Sequence, residues 1–460
     1  MVSLFGTDGI RGVANDLLTG EFAFRIALTI AELLKSDGKT GQIFIGKDPR
    51  LSSDMLEHAM ASGFMSRGYD VISVGIIPTA GLAHTTSING GILGVMISAS
   101  HNQIIDNGIK FFNDKGMKLD QDEESRIESA FNDNLFENLD LSPTELGSYI
   151  TRENIHSDYV EYLKKIPASN FSGMKIVLDT AHGAACGYAG EVFRGLGADV
   201  EILHDCFNGS KINVDCGSNY PTIARKRVKE SDAVMGVAFD GDADRAILID
   251  ENGELVNGDQ VLAMWGSYLL NKKALRHETI VGTVLSNQGL EVFLKGKGGH
   301  LIRTDVGDKY IMREMAKSNY QIGGEQSGHI IFFDHFVTGD GITTALKVAD
   351  LMKLTGEPLS KLADLFTPYP QVALNVPTTD RTSWASEESL KILLDELGSE
   401  VSAKANGRIL VRASGTQPLI RIMVEAEDMD VAQSVAERAR DSFREYLEKS
   451  GTLLVASRKN

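Results

Sequence analysis

The chain has 460 residues, of which 42% are hydrophobic and 24% are charged, a composition typical of globular proteins and not of disordered or fibrous ones. Its 46 basic and 63 acidic residues give a net charge of −17. This balance argues against a general nucleic-acid-binding protein, because neutralising phosphates requires a basic face. An anionic ligand would therefore need a local basic pocket.

Neither a membrane span nor a secretion signal is expected. No run approaches the ~18 uninterrupted apolar residues of a spanning helix, and the opening MVSLFGTDGIRG lacks a basic segment followed by an apolar one. The three cysteines are odd in number and form no Cys-x-x-Cys pair, which favours reduced thiols and a cytoplasmic location.

Strand-like and helix-like segments alternate along most of the chain, whose length suggests about three domains. This alternation predicts three α/β units with mixed or parallel sheets. The tail from about Tyr369 differs, because two adjacent strands, GRILVRA and PLIRIMVEA, precede a helix over 431–447 with Asp430 as its N-cap. A small α+β fourth domain is expected there. The seam between the first two units is expected in the polar stretch 134–157.

The first segment with chemical promise is MISASHN, residues 96–102. The apolar run 91–97 predicts a buried strand, so Ser100 would lie on the loop where this strand leaves the sheet. A serine accepts a phosphoryl or acyl group only when another group activates it. His101 is adjacent, but neighbours on a chain often point apart, and a helix-capping serine is an alternative. The serine is not surrounded by a Gly-x-Ser-x-Gly elbow, which makes acyl transfer the less favoured reaction.

The second segment is FDGDADR, in which Asp240, Asp242 and Asp244 alternate. In an extended loop alternate residues face one way, so three carboxylates could converge on a hard divalent cation. An EF-hand is excluded, because Arg245 occupies the glycine position of that loop and a strand-like run precedes it. A solvated acidic turn is the alternative. Magnesium is favoured, since few protein ligands leave room for phosphate oxygens.

The third segment is GGEQSGH, residues 323–329. Its glycines let the backbone approach a ligand, while Glu325, Ser327 and His329 suit the hydroxyls or an amine of a ligand. A plain glycine-rich turn explains the pattern equally well.

The fourth segment is RASGTQPLIR, which contains two arginines, two hydroxyls and a glycine. This set suits a phosphate dianion, although the segment is not a Walker loop. Anion binding is therefore predicted here.

Together these segments resemble the α-D-phosphohexomutases, and the resemblance covers essentially the whole chain. The motifs that carry it are, in order, FGTDGIRG, ISASHN with DNGIKFF, FDGDADR, GGEQSGH and RASGTQPLIR. Three of these motifs, FGTDGIRG, DNGIKFF and GGEQSGH, are similar in form to those of the branch that acts on glucosamine phosphates. The resemblance implies three tandem mixed α/β domains and a smaller C-terminal α+β domain around a central cleft. The implied boundaries are 1–155 with the phosphoserine loop, 156–255 with the metal loop, 256–368 with the sugar loop and 369–460 with the phosphate loop.

The resemblance also implies an isomerase, a phosphotransferring mutase that interconverts glucosamine 6-phosphate and glucosamine 1-phosphate in amino-sugar nucleotide synthesis. Ser100 would carry the phosphoryl group, with glucosamine 1,6-bisphosphate as the priming intermediate. Lys110 would be the general base and acid, which requires its pKa to be lowered by burial or nearby cations. Arg11 and His101 would position the transferring group. One Mg²⁺ per active site would be held by Ser100, Asp240, Asp242 and Asp244.

Substrate binding is implied for two further groups of residues, and the substrate is a small phosphosugar. Arg245 would add positive charge near the metal loop on the substrate side, and Glu325, Ser327 and His329 would hold the sugar. The stationary phosphate would be held by Arg412, Ser414, Gly415, Thr416 and Arg421. The resemblance further suggests a homodimer, with neither nucleic acid nor membrane as a partner.

Three departures from the family pattern leave the required chemical groups in place. Gln103 stands where relatives usually have proline, which predicts a less rigid serine loop. Gln417 replaces a glutamate of the phosphate loop, and Ala243 replaces a glycine of the metal loop. Phosphomannomutase or phosphoglucomutase activity, a metal-dependent phosphatase and an inactive sugar-phosphate-binding protein remain alternatives. The sequence leaves open the exact sugar, the phosphorylation state of Ser100 and the motion of the last domain.

Overall fold

The structure is a computed structural model that describes residues 4–139, 141–152, 154–414 and 417–454. The described chain forms two compact units. The first comprises residues up to 285 together with 297–365, and the second comprises 286–296 together with the residues from 366 onwards. Within the described residues, no helix is both long and apolar enough to cross a membrane.

The first sheet of the larger unit has six strands in the order β1-β5-β4-β2-β3-β6. Its strands are β1 (Ile10–Val13), β2 (Ile43–Lys47), β3 (Val71–Ile76), β4 (Leu93–Ile97), β5 (Asp106–Asn113) and β6 (Tyr149–Thr151). β4, β2, β3 and β6 run parallel, whereas β5 is antiparallel to β4 and to β1. All five residues of β4 are buried, as the apolar run predicted. The sheet therefore places the carboxyl ends of β2 and β4 side by side.

Helices accompany this sheet, and a buried apolar cluster joins the first, second and fourth of them to its strands. The helices are α1 (Gly20–Ser36), α2 (Ser53–Met65), α3 (Thr79–Ile88) and α4 (Gln121–Asn132), with a short 3₁₀ helix at Leu135–Asn138. Asp120 is the N-cap of α4: its carboxylate accepts from the backbone of Asp122 and Glu123, and the Glu123 side chain accepts from the backbone of Asp120 in return. β6 falls inside the polar stretch 134–157, so this stretch contributes an edge strand to the first sheet.

The second sheet has five strands in the order β11-β10-β9-β7-β8. Its strands are β7 (Lys175–Asp179), β8 (Asp199–Leu203), β9 (Met235–Phe239), β10 (Ala246–Asp250) and β11 (Leu255–Val256). Its helices are α5 (Ile155–Leu163), α6 (Tyr188–Gly195) and α7 (Thr222–Glu230). β9 is entirely buried and ends one residue before Asp240, so the acidic loop leaves the sheet at a carboxyl end.

The third sheet has four strands in the order β13-β12-β14-β15. Its strands are β12 (Thr279–Thr283), β13 (His300–Thr304), β14 (Ile322–Gly324) and β15 (Ile330–Phe332). The helices that follow α7 are α8 (Gly258–Asn271), α9 (Gln288–Gly296), α10 (Asp308–Ser318), α11 (Gly341–Thr355) and α12 (Leu359–Ala363), with a 3₁₀ turn at Arg276–Glu278. α9 belongs to the smaller unit, although the sequence groups it with the third α/β domain.

The smaller unit contains a three-stranded antiparallel sheet in the order β16-β18-β17. Its strands are β16 (Gln371–Pro377), β17 (Arg408–Ala413) and β18 (Leu419–Glu425). Its helices besides α9 are α13 (Glu388–Ala405) and α14 (Met429–Lys449), with a 3₁₀ turn at Ser383–Ser386. α14 buries Val435, Ala439, Phe443 and Leu447 at four-residue spacing.

The predicted fold class, tandem α/β sheets followed by a smaller α+β part, is confirmed. Two details differ from the sequence analysis. The N-cap of α14 is Asp428 and not Asp430, because the Asp428 carboxylate accepts from the backbone N–H groups of Asp430 and Val431. The sequence analysis also missed β16, the third strand of the last sheet.

Candidate active site

Ser100 lies in the loop between β4 and β5, where its side chain is fully buried. Its hydroxyl donates to Oδ2 of Asp240 at 2.5 Å and lies 3.1 Å from Nδ1 of His101. The sequence left open whether His101 faces Ser100, and the structure brings the two side chains into contact. The backbone φ of Ser100 is +53°, a left-handed conformation that costs a side-chain-bearing residue about 1–2 kcal/mol. Such strain persists only where the surroundings fix the conformation.

The acidic loop between β9 and β10 is a compact turn and not the extended segment that the alternation suggested. Asp240, Asp242 and Asp244 nevertheless converge, each with a carboxylate oxygen within 4.8 Å of the others. The turn includes Ala243 at φ +55°, so the family's glycine would be less strained here. Gly241 permits close packing, because an added Cβ would lie 2.6 Å from the carbonyl oxygen of Ser100.

The donor set of this loop fits a hard divalent cation. Oδ1 of Asp242 and Oδ1 of Asp244 are buried and accept no hydrogen bond from the described residues. Burial, and then the negative charges of Asp244 and Asp242, raise the pKa of Asp240 well above its usual value. A cation would offset this repulsion and use the free oxygens, and carboxylates are the ligands that Mg²⁺ and similar ions prefer. The three aspartates could therefore hold a metal.

Lys110 extends from β5 into the same cluster and is almost completely buried. Its Nζ lies 2.8 Å from Asp242, 3.2 Å from Asp244 and 3.0 Å from Asp8. Burial alone lowers the pKa of Lys110, but these three carboxylates outweigh it and the net pKa lies well above the usual value. The expectation of a lowered pKa is wrong for this arrangement, because it overlooked the anions that surround the amine.

Asp8, which the sequence analysis did not single out, is an anion that links several cations near the serine loop. Its carboxylate pairs with Arg11, Lys110 and Lys118. Burial raises the pKa of Asp8, but Lys110 and Lys118 reverse this effect and hold it well below its usual value. Arg11, in β1, also donates to Oδ1 of Asn102 at 3.0 Å and to the carbonyl of Ala99 at 3.3 Å. Arg11 therefore contacts the backbone and side chains of the serine loop directly.

The segment GGEQSGH spans the end of β14 and the turn that leads to β15, in the same unit. The hydroxyl of Ser327 donates to Glu325 at 3.2 Å, and Glu325 also accepts from the backbone of Gly307. His329 is buried, with Nδ1 3.7 Å from Asp244 and Nε2 accepting from the backbone of Gly339 at 3.1 Å. In this arrangement His329 therefore contacts the acidic loop.

Arg245 closes the acidic loop at the start of β10. Its backbone N–H donates to Asp240 at 3.1 Å, and its Nε lies 3.7 Å from Asp244. Burial lowers the pKa of Arg245, but Asp244 and Asp240 reverse this and raise it, so the guanidinium stays charged. The larger unit thus brings together Ser100, Lys110, the three aspartates, Arg245, Glu325 and His329.

The predicted phosphate loop lies in the smaller unit, between β17 and β18. Arg412 and Arg421 are directly paired in the register of these two strands. Burial, and then the positive charge of Arg421, lower the pKa of Arg412, as expected for two adjacent cations without an anion. Ser414 is buried, and its hydroxyl accepts from the backbone of Gln417 at 3.3 Å. Gly415 and Thr416 lie outside the described residues.

Two further residues near this loop bear on the departures noted above. The side-chain oxygen of Gln417 accepts from Arg421 at 3.3 Å, so a neutral amide occupies the position expected for a glutamate. Arg381, which no motif indicated, donates to the carbonyl of Ser414 at 2.6 Å.

Four family models of the phosphoglucomutase/phosphomannomutase type match the chain in order. They are the α/β/α domains I, II and III at residues 2–138, 157–253 and 257–369, and the C-terminal domain at 374–442. The chain therefore belongs to the phosphoglucomutase/phosphomannomutase family, the α-D-phosphohexomutases.

Within this family the chain is similar to phosphoglucosamine mutases. That of Caldanaerobacter subterraneus subsp. tengcongensis is 45% identical over 97% of this chain and 100% of that protein. That of Geobacillus thermodenitrificans is 42% identical over 96% of this chain and 99% of that protein. These identities favour phosphoglucosamine mutase over the other activities of the family, and the class of enzyme is an isomerase that transfers a phosphoryl group.

Solved structures share the fold at low sequence identity. A phosphoglucomutase/phosphomannomutase family protein from Burkholderia thailandensis has a TM-score of 0.80 at 22% identity and covers 98% of both chains. The N-acetylphosphoglucosamine mutase of Aspergillus fumigatus, solved with GlcNAc-6P and magnesium, has a TM-score of 0.67 at 18% identity and covers 97% of this chain and 96% of that one.

Proposed function

We propose that the chain interconverts glucosamine 6-phosphate and glucosamine 1-phosphate through a phosphoserine at Ser100 and a glucosamine 1,6-bisphosphate intermediate. The observation that carries the proposal is that Ser100 and Lys110, from the first sheet, contact the aspartates of the acidic loop, which follows β9 of the second sheet. The Ser100 hydroxyl lies 2.5 Å from Asp240, and Lys110 lies 2.8 Å from Asp242. A nucleophile, a base and anionic ligands for a cation are the groups that phosphoryl transfer requires.

The first transfer moves the phosphoryl group from Ser100 to the sugar. Lys110 takes the proton of the sugar O1 hydroxyl as that oxygen bonds to phosphorus, and the bond from phosphorus to Oγ of Ser100 breaks with its electrons on Oγ. After the bisphosphate turns around, its 6-phosphoryl group returns to Ser100 and Lys110 returns the proton to O6. The enzyme is thereby restored to its phosphorylated form.

The three aspartates and Ser100 form the proposed site for one Mg²⁺. When bound there, Mg²⁺ would offset charge on the transferring phosphoryl group and part of the negative charge that otherwise raises the pKa of Lys110. The neutral form of Lys110 is the one that can accept a proton, so the negative charge of the carboxylates around its amine governs its availability as a base.

The remaining predicted residues are proposed to bind the substrate. Arg11, His101 and Arg245 would surround the transferring group, and Glu325 and Ser327 would hold the sugar hydroxyls or the amine. His329 is proposed to contribute to this end of the site, and its contact with Asp244 would also hold that carboxylate in place. The stationary phosphate would be held by Arg412, Ser414, Gly415, Thr416 and Arg421.

The proposal includes a cytoplasmic homodimer with four domains bounded at 155, 255 and 368. The cytoplasmic location is supported by three free cysteines, one of them exposed. The dimer rests on the family resemblance. A sedimentation experiment that finds only monomers at working concentration would remove it without affecting the chemistry.

The experiment that tests the function compares three substrates. The protein is incubated with Mg²⁺, a trace of the matching bisphosphate, and glucosamine, glucose or mannose 6-phosphate, and the 1-phosphate is measured by ³¹P NMR. Ser100→Ala is the test variant, and Ser62→Ala, at an exposed serine of α2, is the matched control. We expect much more 1-phosphate from the amino sugar than from glucose or mannose 6-phosphate. Ser100→Ala should form no 1-phosphate, whereas Ser62→Ala should behave as the unmodified protein. Release of inorganic phosphate without 1-phosphate would overturn the proposal in favour of a phosphatase.

A further inference from the structure

A buried ion pair lies beside the serine loop. Asp48 and Arg50 follow β2, and their side chains have 0% exposure, with Nε of Arg50 3.0 Å from Oδ2 of Asp48. They reach the serine loop because β2 and β4 are parallel neighbours, and the backbone of Asp48 donates to the carbonyl of Ile97 at 3.0 Å. Buried ion pairs contribute little net stability, because desolvation offsets their attraction. The contacts of this pair indicate another role.

The guanidinium of Arg50 binds four carbonyl groups, three in the loop between β4 and β5 and one at Asp106, the first residue of β5. Nη2 donates to the carbonyls of Ser100 at 2.9 Å and Asn102 at 3.0 Å. Nη1 donates to the carbonyls of Gln103 at 2.5 Å and Asp106 at 2.9 Å. With the bond from Nε to Asp48, all five N–H donors of the fork are used. Gln103, which cannot stiffen the loop as proline would, is held through its carbonyl instead.

Asp48 holds the other side of the Ser100 peptide. Its Oδ2 accepts from the Ser98 hydroxyl at 2.7 Å, and the oxygen of that hydroxyl accepts from the backbone N–H of Ser100 at 2.8 Å. Asn213, from the connection between β8 and α7, donates its amide to the Ser100 carbonyl at 2.9 Å. Both polar backbone groups of Ser100 are therefore fixed, which explains how its left-handed conformation is maintained.

We infer that Arg50, together with Asp48, is a positioning residue that holds the Ser100 loop in the geometry that directs the serine hydroxyl at Asp240. For the reaction, this rests on the proposed function, in which Ser100 carries the phosphoryl group. Arg50 is fully enclosed by protein and its five donors are all occupied, so it acts on the reaction only through the loop. Its loss should therefore lower kcat much more than it raises KM.

The test variant is Arg50→Lys, which keeps the charge next to Asp48 but replaces a five-donor fork by three donors on one nitrogen. The matched control is Arg67→Lys, at an arginine whose side chain is 9% exposed and pairs with Glu32 in the same part of the larger unit. Misplacing a reacting group by about 1 Å costs on the order of 100-fold in rate. We expect kcat of Arg50→Lys to fall by roughly 30- to 100-fold with KM within about threefold, and Arg67→Lys to behave as the unmodified protein.

Hydrogen exchange of the segment 98–107 gives a readout that does not depend on activity. We expect faster exchange of this segment in Arg50→Lys, with the core of the first sheet unchanged. Unchanged kcat or unchanged exchange of 98–107 in a folded Arg50→Lys protein would overturn the inference. If the unmodified protein produces no sugar 1-phosphate, the proposed function fails, while the exchange data still decide whether Arg50 holds the loop.

A second variant decides the matter if Arg50→Lys does not fold. Asn213→Gly removes the amide donor, and glycine accepts the left-handed backbone found there at φ +59°. We expect the same direction of change, a fall in kcat of roughly 10-fold with faster exchange of 98–107, because one of the contacts to the Ser100 carbonyl is lost. Retention of full kcat and of slow exchange in Asn213→Gly would count against the inference.

Discussion

Replacing Asp240 by asparagine should stabilise the metal-free protein and at the same time remove its response to Mg²⁺. Asparagine keeps the shape of the side chain, can still accept from the backbone of Arg245 and can bond to the Ser100 hydroxyl through its amide. It removes one of three clustered negative charges. Because burial and the neighbouring Asp244 and Asp242 raise the pKa of Asp240, its ionised form is unfavourable in the folded, metal-free state.

The size of the effect follows from the separation of the carboxylates. Their oxygens lie within 4.8 Å of one another, and two unit charges at that distance repel by roughly 3.5 kcal/mol at an effective dielectric constant of about 20. Asp240 is repelled by two carboxylates and attracted by Arg245, so its neutralisation removes about one net repulsion. Allowing for solvent screening and relaxation, we expect a gain of about 1–3 kcal/mol, or roughly 1–4 °C in Tm for a unit of this size.

Calorimetry with EDTA and with increasing Mg²⁺ measures both parts of this prediction. The unmodified protein should gain stability with Mg²⁺, because a ligand that binds only the folded state stabilises it. Asp240→Asn should start from a higher Tm in EDTA, gain little with Mg²⁺ and lose mutase activity. Asp364→Asn, at an exposed aspartate, controls for the change in net charge. A metal-free Asp240→Asn protein that melts below the unmodified one, or that keeps the full Mg²⁺ response, would refute the reasoning.

Three further predictions concern other parts of the molecule. Burial and the neighbouring arginines lower the pKa of His101 to about 4, so its NMR resonances should titrate near that pH. Stability should fall from pH ~6.5 towards 4, because only the unfolded chain binds this proton there, and His101→Gln should flatten that slope. Phe443→Ala should destabilise the smaller unit by about 3–5 kcal/mol. The ring of Trp384 lies 5.3 Å from that of Phe443, so Trp384 fluorescence reports the unfolding of this unit. An unchanged denaturation midpoint would contradict this prediction. Arg421→Gln should raise KM for the phosphosugar by roughly 10- to 100-fold with a smaller change in kcat. Gln417→Glu should raise KM by less than Arg421→Gln does. An unchanged KM in Arg421→Gln would argue against phosphate binding at that residue.

Local sequence patterns were sufficient for the elements that carry the site. The apolar run 91–97 predicted the buried strand that becomes β4, and the run before Asp240 predicted β9. Such short continuous apolar runs are typical of strands that are buried on both faces of a sheet. The four-residue spacing in the C-terminal helix predicted the buried face of α14. The position of its cap was missed by two residues, since Asp428 and Asp430 both carry a side chain suited to capping.

The motifs also indicated Ser100, Lys110 and the three aspartates, because each motif keeps its chemical groups within a few residues of one another. The pattern did not indicate how these groups act on each other. The raised pKa of Lys110 arises from Asp8, Asp242 and Asp244, which are distant from it in sequence. No local signal identifies which charges a buried amine will meet, so the sign of the shift required the tertiary structure.

The sequence by itself determined the order of strands, helices and chemical motifs, because secondary structure and motif spacing depend on neighbours along the chain. Only the tertiary structure decided which strand ends lie together. Asp48 and Arg50 stand about fifty residues from Ser100, and they read as an ordinary charged turn after β2. They reach the serine loop because β2 pairs in parallel with β4, which places both carboxyl ends at one edge of the sheet. That pairing is a long-range contact, and the Arg50 hydrogen bonds with the loop exist only once it has formed.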